Sequence, residues 1–133
     1  MKIDGRCHCG RITFEAEIEP DRVHICHCTD CQNLTGTAFR ATVRAPAEGF
    51  TLLSGEPRIY LKTADSGARR AHAFCPDCGT PIYAAAPENP TAYGLRLGTI
   101  RQRTALTPHR QFWCVSALPW AMDLGAIECH DRQ

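Results

Sequence analysis

Cys26-His27-Cys28-Thr29-Asp30-Cys31 puts three thiols into six residues of a 133-residue chain. Two further clusters answer it, Cys7-His8-Cys9 near the N-terminus and Cys75-Pro76-Asp77-Cys78-Gly79 in the middle. Seven of the nine cysteines thus stand at ligand-like spacing. Tetrahedral zinc takes four ligands, so seven thiolates complete one closed site and leave a second site one ligand short. A closed site is scaffolding, whereas an open one has a position for chemistry.

The pairing follows from spacing. In Cys75-x-x-Cys78-Gly79 two intervening residues let the chain curl until both sulfurs face one ion, and the glycine accepts the positive φ of such a turn. One knuckle supplies two ligands, and Cys7-x-Cys9, read as extended chain with both thiols on one face, supplies the other two. The bland alternative is four buried thiols without metal. Structural zinc contributes roughly 10 to 16 kcal/mol against a domain stability of about 5 to 15, so loss of this metal is expected to leave the chain unfolded or molten.

Cys26, Cys28 and Cys31 are then expected to hold a second zinc with its fourth position open. Three thiolates leave that centre with a formal charge of about −1, which makes it a poorer activator of water than a three-histidine zinc and better suited to a soft thiol. Other arrangements remain open on spacing alone: His24, His27, Cys114 or Cys129 as a fourth ligand, or all seven thiols shared around bridged metals. Disulfides fit poorly, because the cysteine count is odd and partners one residue apart suit the bond badly.

Outward from the clusters, Ile12, Phe14, Ala16 and Ile18 alternate with polar residues, the period of a half-buried strand. Val23 and Ile25 make a second short strand that runs into Cys26. Thr29 followed by Gln32 matches a capping box, and Gly36 a helix stop, so Cys31 is expected in the first turn of a short helix, where unpaired amides favour its thiolate. Strands are expected through Phe39–Val43, Phe50–Leu53, Arg58–Lys62, Ala68–Phe74, Ile82–Ala84, Tyr93–Leu97 and Gln111–Ser116, separated by Gly, Pro, Asp and Ser turns. The pattern predicts a mainly β single domain spanning residues 1–133, without repeats or a long amphipathic helix.

The N-terminal residues carry no apolar leader and no apolar run approaches the roughly 18 residues of a membrane span, so the expectation is a cytoplasmic protein that avoids membranes. Its formal net charge is +1, which seven ionised thiols and two zinc ions would bring to about −2. That balance argues against general nucleic-acid binding, although Arg69-Arg70 and Arg101 with Arg103 are candidates for local anion contacts.

With Gly5-Arg6-Cys7-His8-Cys9-Gly10, Cys26 to Cys31 followed by Thr35-Gly36, Phe74-Cys75-Pro76-Asp77-Cys78-Gly79-Thr80 and Pro119-Trp120, the chain resembles the glutathione-dependent formaldehyde-activating enzyme and centromere protein V family from about Gly5 to Trp120. The resemblance implies a β-tent fold of stacked antiparallel sheets with zinc-binding loops. It implies two Zn²⁺ per chain, a structural one on Cys7, Cys9, Cys75 and Cys78 and an active-site one on Cys26, Cys28 and Cys31. It also implies a carbon-sulfur lyase-type reaction in which glutathione adds to formaldehyde and gives S-hydroxymethylglutathione. Competing functions are a non-catalytic, zinc-stabilised partner-binding module and a thiol redox or metal sensor.

His27 and Asp30 are the nearest candidates for a proton donor, with a solvent-facing role as the plainer reading of both. Arg40, Arg44, Arg69, Arg70 and Arg96 are candidates to clamp the carboxylates of glutathione. Trp113 and Trp120 read as core or pocket wall, Cys114 as a buried thiol and Cys129 as an exposed one.

Overall fold

The alternation from Ile12 to Ile18 becomes a strand over Thr13–Glu17 with Phe14 and Ala16 buried and Glu15 and Glu17 exposed, in a computed structural model that describes residues 1–133. This strand, β2, is the middle of a three-stranded antiparallel sheet, with β1 (Lys2–Arg6) on one side and β5 (Phe50–Ser54) on the other. β1 has its own alternation, Ile3, Gly5 and Cys7 inward, and Gly5 lies opposite Phe14. A Cβ on Gly5 would run into the Phe14 ring, which is fully buried and packs on Phe50 at 5.8 Å between ring centroids. Gly5→Ala is therefore expected to cost about 1 to 3 kcal/mol, the range for overpacking a filled core, measured as a shift in urea unfolding.

The second sheet has seven strands: β3 (Val23–Cys26), β4 (Arg40–Pro46), β6 (Arg58–Thr63), β7 (Arg69–Phe74), β8 (Pro81–Ala85), β9 (Ala92–Arg96) and β10 (Arg110–Phe112). Their order is β10-β3-β4-β9-β8-β7-β6, and every pair is antiparallel except β10 with β3. The one α-helix, α1 (Thr29–Thr35), follows β3. Ile3, Phe14 and Ala16 from the smaller sheet join Val23, Val43, Ala45 and Leu95 from the larger in one buried cluster. Phe50, Tyr83 and Tyr93 close its side, with ring centroids 4.5 to 5.5 Å apart. This is the mainly β fold that the turn-punctuated sequence predicts, in the stacked-sheet arrangement that the family resemblance implies.

The C-terminal part differs from expectation. The strand foreseen over Gln111–Ser116 is only β10, because Trp113 takes a left-handed φ of 58° and turns the chain into a 3-10 segment at Cys114–Ser116. Cys114 is consequently exposed rather than buried, whereas Cys129 is exposed as expected. Trp113 and Trp120 are exposed too, at 63% and 53%, and form no part of the core. β10 pairs on one side only, so beyond Phe112 nothing remains to hold an extended strand. No helix is long and apolar enough to cross a membrane.

Candidate metal centres

Cys7 leaves the end of β1 and Cys75 leaves the end of β7, so their cluster joins the smaller sheet to the larger. At Cys75 the expected knuckle is present: the Gly79 N–H donates to the Cys75 carbonyl at 2.8 Å with Gly79 at φ 75°. Cys7-His8-Cys9 is a turn as well, and not the extended segment that its spacing suggests. Gly10, at φ 82°, donates its N–H to the Cys7 carbonyl at 3.1 Å. An ion pair between Arg11 and Asp77 at 2.6 Å and a bond from the His8 N–H to Thr80 Oγ1 at 3.1 Å lock the two turns together.

The four sulfurs of Cys7, Cys9, Cys75 and Cys78 all lie within 4.8 Å of one another. Cys7 and Cys9 are 3.6 Å apart and Cys9 and Cys75 3.8 Å. Zinc–sulfur bonds of about 2.3 Å in a tetrahedron put neighbouring sulfurs about 3.8 Å apart, so this donor set fits zinc closely. Without a cation the sulfurs compete for charge. The Thr80 hydroxyl and nearby amides lower Cys78 to about 5, while the Arg11 amide cannot offset the crowding of Cys9 by Cys7 and its neighbours, which pushes Cys9 up to about 12. A divalent ion removes that conflict by drawing all four into the thiolate form.

The second cluster is built by a strand end and a helix start. Cys26 is the last residue of β3, and Cys28 is the N-cap of α1, its sulfur accepting the Cys31 N–H at 3.3 Å. The cap is thus one residue earlier than the Thr29–Gln32 box suggests, a sulfur taking the place of the hydroxyl. Gln32 instead donates its side-chain amide to the carbonyls of His27 at 2.8 Å and Ser116 at 3.0 Å. Cys31 lies in the first turn and Gly36, at φ 68°, ends the helix, both as expected.

The sulfurs of Cys26, Cys28 and Cys31 lie within 4.8 Å of one another, and no histidine or carboxylate joins them. Burial opposes ionisation of Cys28, but the Cys31 amide and neighbouring thiols, with Lys62, still bring its pKa below that of an ordinary thiol. Burial, then Cys28, pushes Cys31 up to about 12. Three soft donors with one side uncapped fit an open zinc.

His27 is neither a ligand nor solvent-facing. It is fully buried, packs edge-on against Phe39 and shares a 2.7 Å hydrogen bond between Nε2 and Gln111 Oε1. The chain is still extended at the N-cap Cys28, so past the end of β3 Cys26 and Cys28 turn one way and His27 the other. Asp30 is paired with Lys62 of β6 at 2.6 Å. Four strands separate β3 from β6 in the sheet order, so this contact means that the large sheet curls until its far edge meets α1.

The curl encloses a cavity of about 450 Å³ that reaches Cys26 and Cys31. Its wall is one face of the sheet, read off in cross-strand rows. Cys26 lies opposite Arg40, His24 opposite Thr42, and Thr42 opposite Arg96. Farther along, Arg44, Gly94, Ala84 and His72 face one another in turn, so small residues make the floor and basic ones the ends. A Cβ on Gly94 would come within 3.1 Å of the Thr42 methyl.

Of the arginines singled out in the sequence, Arg40, Arg44, Arg70 and Arg96 line this cavity and Arg69, one residue out of phase, does not. Lys62 and His72 line it too, and no Asp or Glu does. Sequence reading missed His72 and Lys62. The period of two puts Lys62, Arg70, His72 and Arg96 on one face, but only the curl of the sheet brings that face to Cys26.

Comparison with solved structures gives the fold. A crystal structure of a Rhodobacter sphaeroides protein, a structural-genomics target, superposes with a TM-score of 0.62 at 20% identity, covering 81% of this chain and 98% of that one. The family model described as glutathione-dependent formaldehyde-activating enzyme matches residues 2–116, a span that contains both cysteine clusters and the curled sheet between them. The chain therefore belongs to the glutathione-dependent formaldehyde-activating enzyme family.

Proposed function

We propose that this protein is a zinc-dependent carbon-sulfur lyase-type enzyme that joins glutathione to formaldehyde and reverses the step. In this reading Cys7, Cys9, Cys75 and Cys78 hold a structural zinc, and Cys26, Cys28 and Cys31 hold an open one. The observation that carries it is the uncapped three-thiol cluster at the mouth of a basic cavity of about 450 Å³. Family membership supplies the reaction class.

In the reaction the thiol sulfur attacks the formaldehyde carbon, the carbonyl electron pair moves to oxygen, and the thiol proton ends on that oxygen. One carbon–sulfur bond forms, one thiol S–H breaks, and nothing is oxidised. Zinc held by the three thiolates supplies Lewis acidity that favours the ionised form of a substrate thiol. The protein's own contribution is placement: the cavity holds the tripeptide with its thiol toward Cys26 and Cys31, and the basic wall stabilises an anionic substrate. With His27 buried on Gln111 and Asp30 held by Lys62, neither is assigned the proton, and water at the cavity mouth exchanges it.

Exchange NMR on an equilibrium mixture of formaldehyde and glutathione tests the proposal. The zinc-loaded protein is expected to raise the exchange rate above the uncatalysed background. An unchanged rate at saturating protein rules the activity out.

A further inference from the structure

Arg40 and Arg96 are buried cations without a counter-ion. Their exposures are 7% and 8%, and neither enters any ion pair of the protein. Both converge on one imidazole nitrogen: His72 Nδ1 accepts from Arg40 at 3.5 Å and from Arg96 at 3.3 Å. Arg96 also donates to Thr42 Oγ1 at 3.3 Å. That leaves the Nε of each guanidinium buried with no partner. Two like charges held together out of water, each with an unmet donor, are costly unless an anion completes the site.

The surroundings say which kind of anion. The residues lining the cavity include Arg44 and Arg70 but no carboxylate, so beyond the thiols of Cys26 and Cys31 any negative group must come from outside. A guanidinium fork matches a carboxylate's two oxygens in a plane, and two forks side by side favour it over a single point contact. The same cavity carries Cys26 and Cys31 opposite this pair, Cys26 being the cross-strand neighbour of Arg40.

The geometry points to Arg40 and Arg96, steadied by His72, as a carboxylate-binding site that selects acidic thiols for the three-thiol centre. The substrate class is then a small thiol bearing at least one carboxylate within the span of the cavity, and thiols without an acid group are excluded. This rests on the proposed activity only for the identity of the thiol; the anion site stands on the unpaired arginines.

The test uses the zinc-loaded protein and S-methylglutathione, which lacks a free thiol and so reports on the anion site without engaging the metal. Titration calorimetry is expected to show binding that weakens about tenfold or more in Arg96→Gln, and about equally when both carboxylates of the ligand are esterified. In Arg96→Gln the acid and the ester should bind with nearly the same affinity. The esterified ligand needs no variant, so the inference stays testable even where Arg96→Gln fails to fold. Equal affinity of acid and ester for the unsubstituted protein overturns it. So does a variant that binds the acid unchanged but retains less zinc, which makes the arginines mere counter-charges of the thiolates.

Succinate separates this inference from the function it deepens. If S-methylglutathione does not bind, but succinate does and is lost in Arg96→Gln, the glutathione reading fails and the carboxylate site stands. If neither binds, the site is refuted.

Discussion

Cys75→Ser is expected to abolish the native fold, seen as loss of the cooperative thermal transition and of near-ultraviolet dichroism. Cys75 and Cys7 are fully buried members of the core cluster, and each leaves a strand of a different sheet. A metal at their cluster would therefore tie the two sheets together through side chains alone. Structural zinc is worth roughly 10 to 16 kcal/mol, as much as a domain's whole stability of about 5 to 15. Losing a thiolate also leaves three crowded sulfurs without the cation that reconciles their charges. Exhaustive chelation of the unsubstituted protein should give the same unfolded or molten state. A sharp native melt that survives either treatment would show that the sheets hold together without metal.

Cys28→Ser should behave in the opposite way, folding but losing catalysis. Cys28 is only partly buried, and as the N-cap of α1 its sulfur accepts one amide bond, a role that a serine hydroxyl fills well. The helix and the curled sheet are thus expected to remain, with stability changed by no more than about 1 kcal/mol. The second metal loses one of three ligands, and activity should fall by more than the roughly 10- to 100-fold that outer-shell changes cost. Metal analysis and exchange NMR on the same sample check both parts. A variant that keeps its zinc and its rate would remove Cys28 from the site.

Much of this arrangement was legible in the sequence because its strongest signals are local. Spacing alone pairs Cys75 with Cys78, and alternation in Val23–Cys26 places Cys26 at a strand end. Capping chemistry foretold the helix at Cys31 and its end at Gly36, but missed that a thiol would be the cap. β1 was invisible because Gly5 interrupts its apolar period, and only the opposing Phe14 ring explains why glycine is there. The tail was misread for a related reason: Cys114 and Trp113 look apolar enough for a strand, yet the left-handed turn at Trp113 and the lack of a second neighbour for β10 leave them exposed.

The cavity was harder to foresee because it is a product of curvature. Nothing local in Lys62 or His72 announces that β6 and β7 come round to face a cluster beyond β3. Once the curl is known, the even-numbered basic residues of four strands explain one another. Their excess of unpaired charge is intelligible only beside three thiolates and a site for an acidic ligand.

Zinc K-edge X-ray absorption on the fully loaded protein tests the central claim, that one cluster is closed and the other open. The account predicts two zinc ions per chain, with an average sulfur shell at about 2.3 Å that falls between three and four atoms and a lighter atom completing it. Cys28→Ser should remove one ion and leave a pure four-sulfur spectrum. A single zinc per chain, or four sulfurs around both, would contradict it.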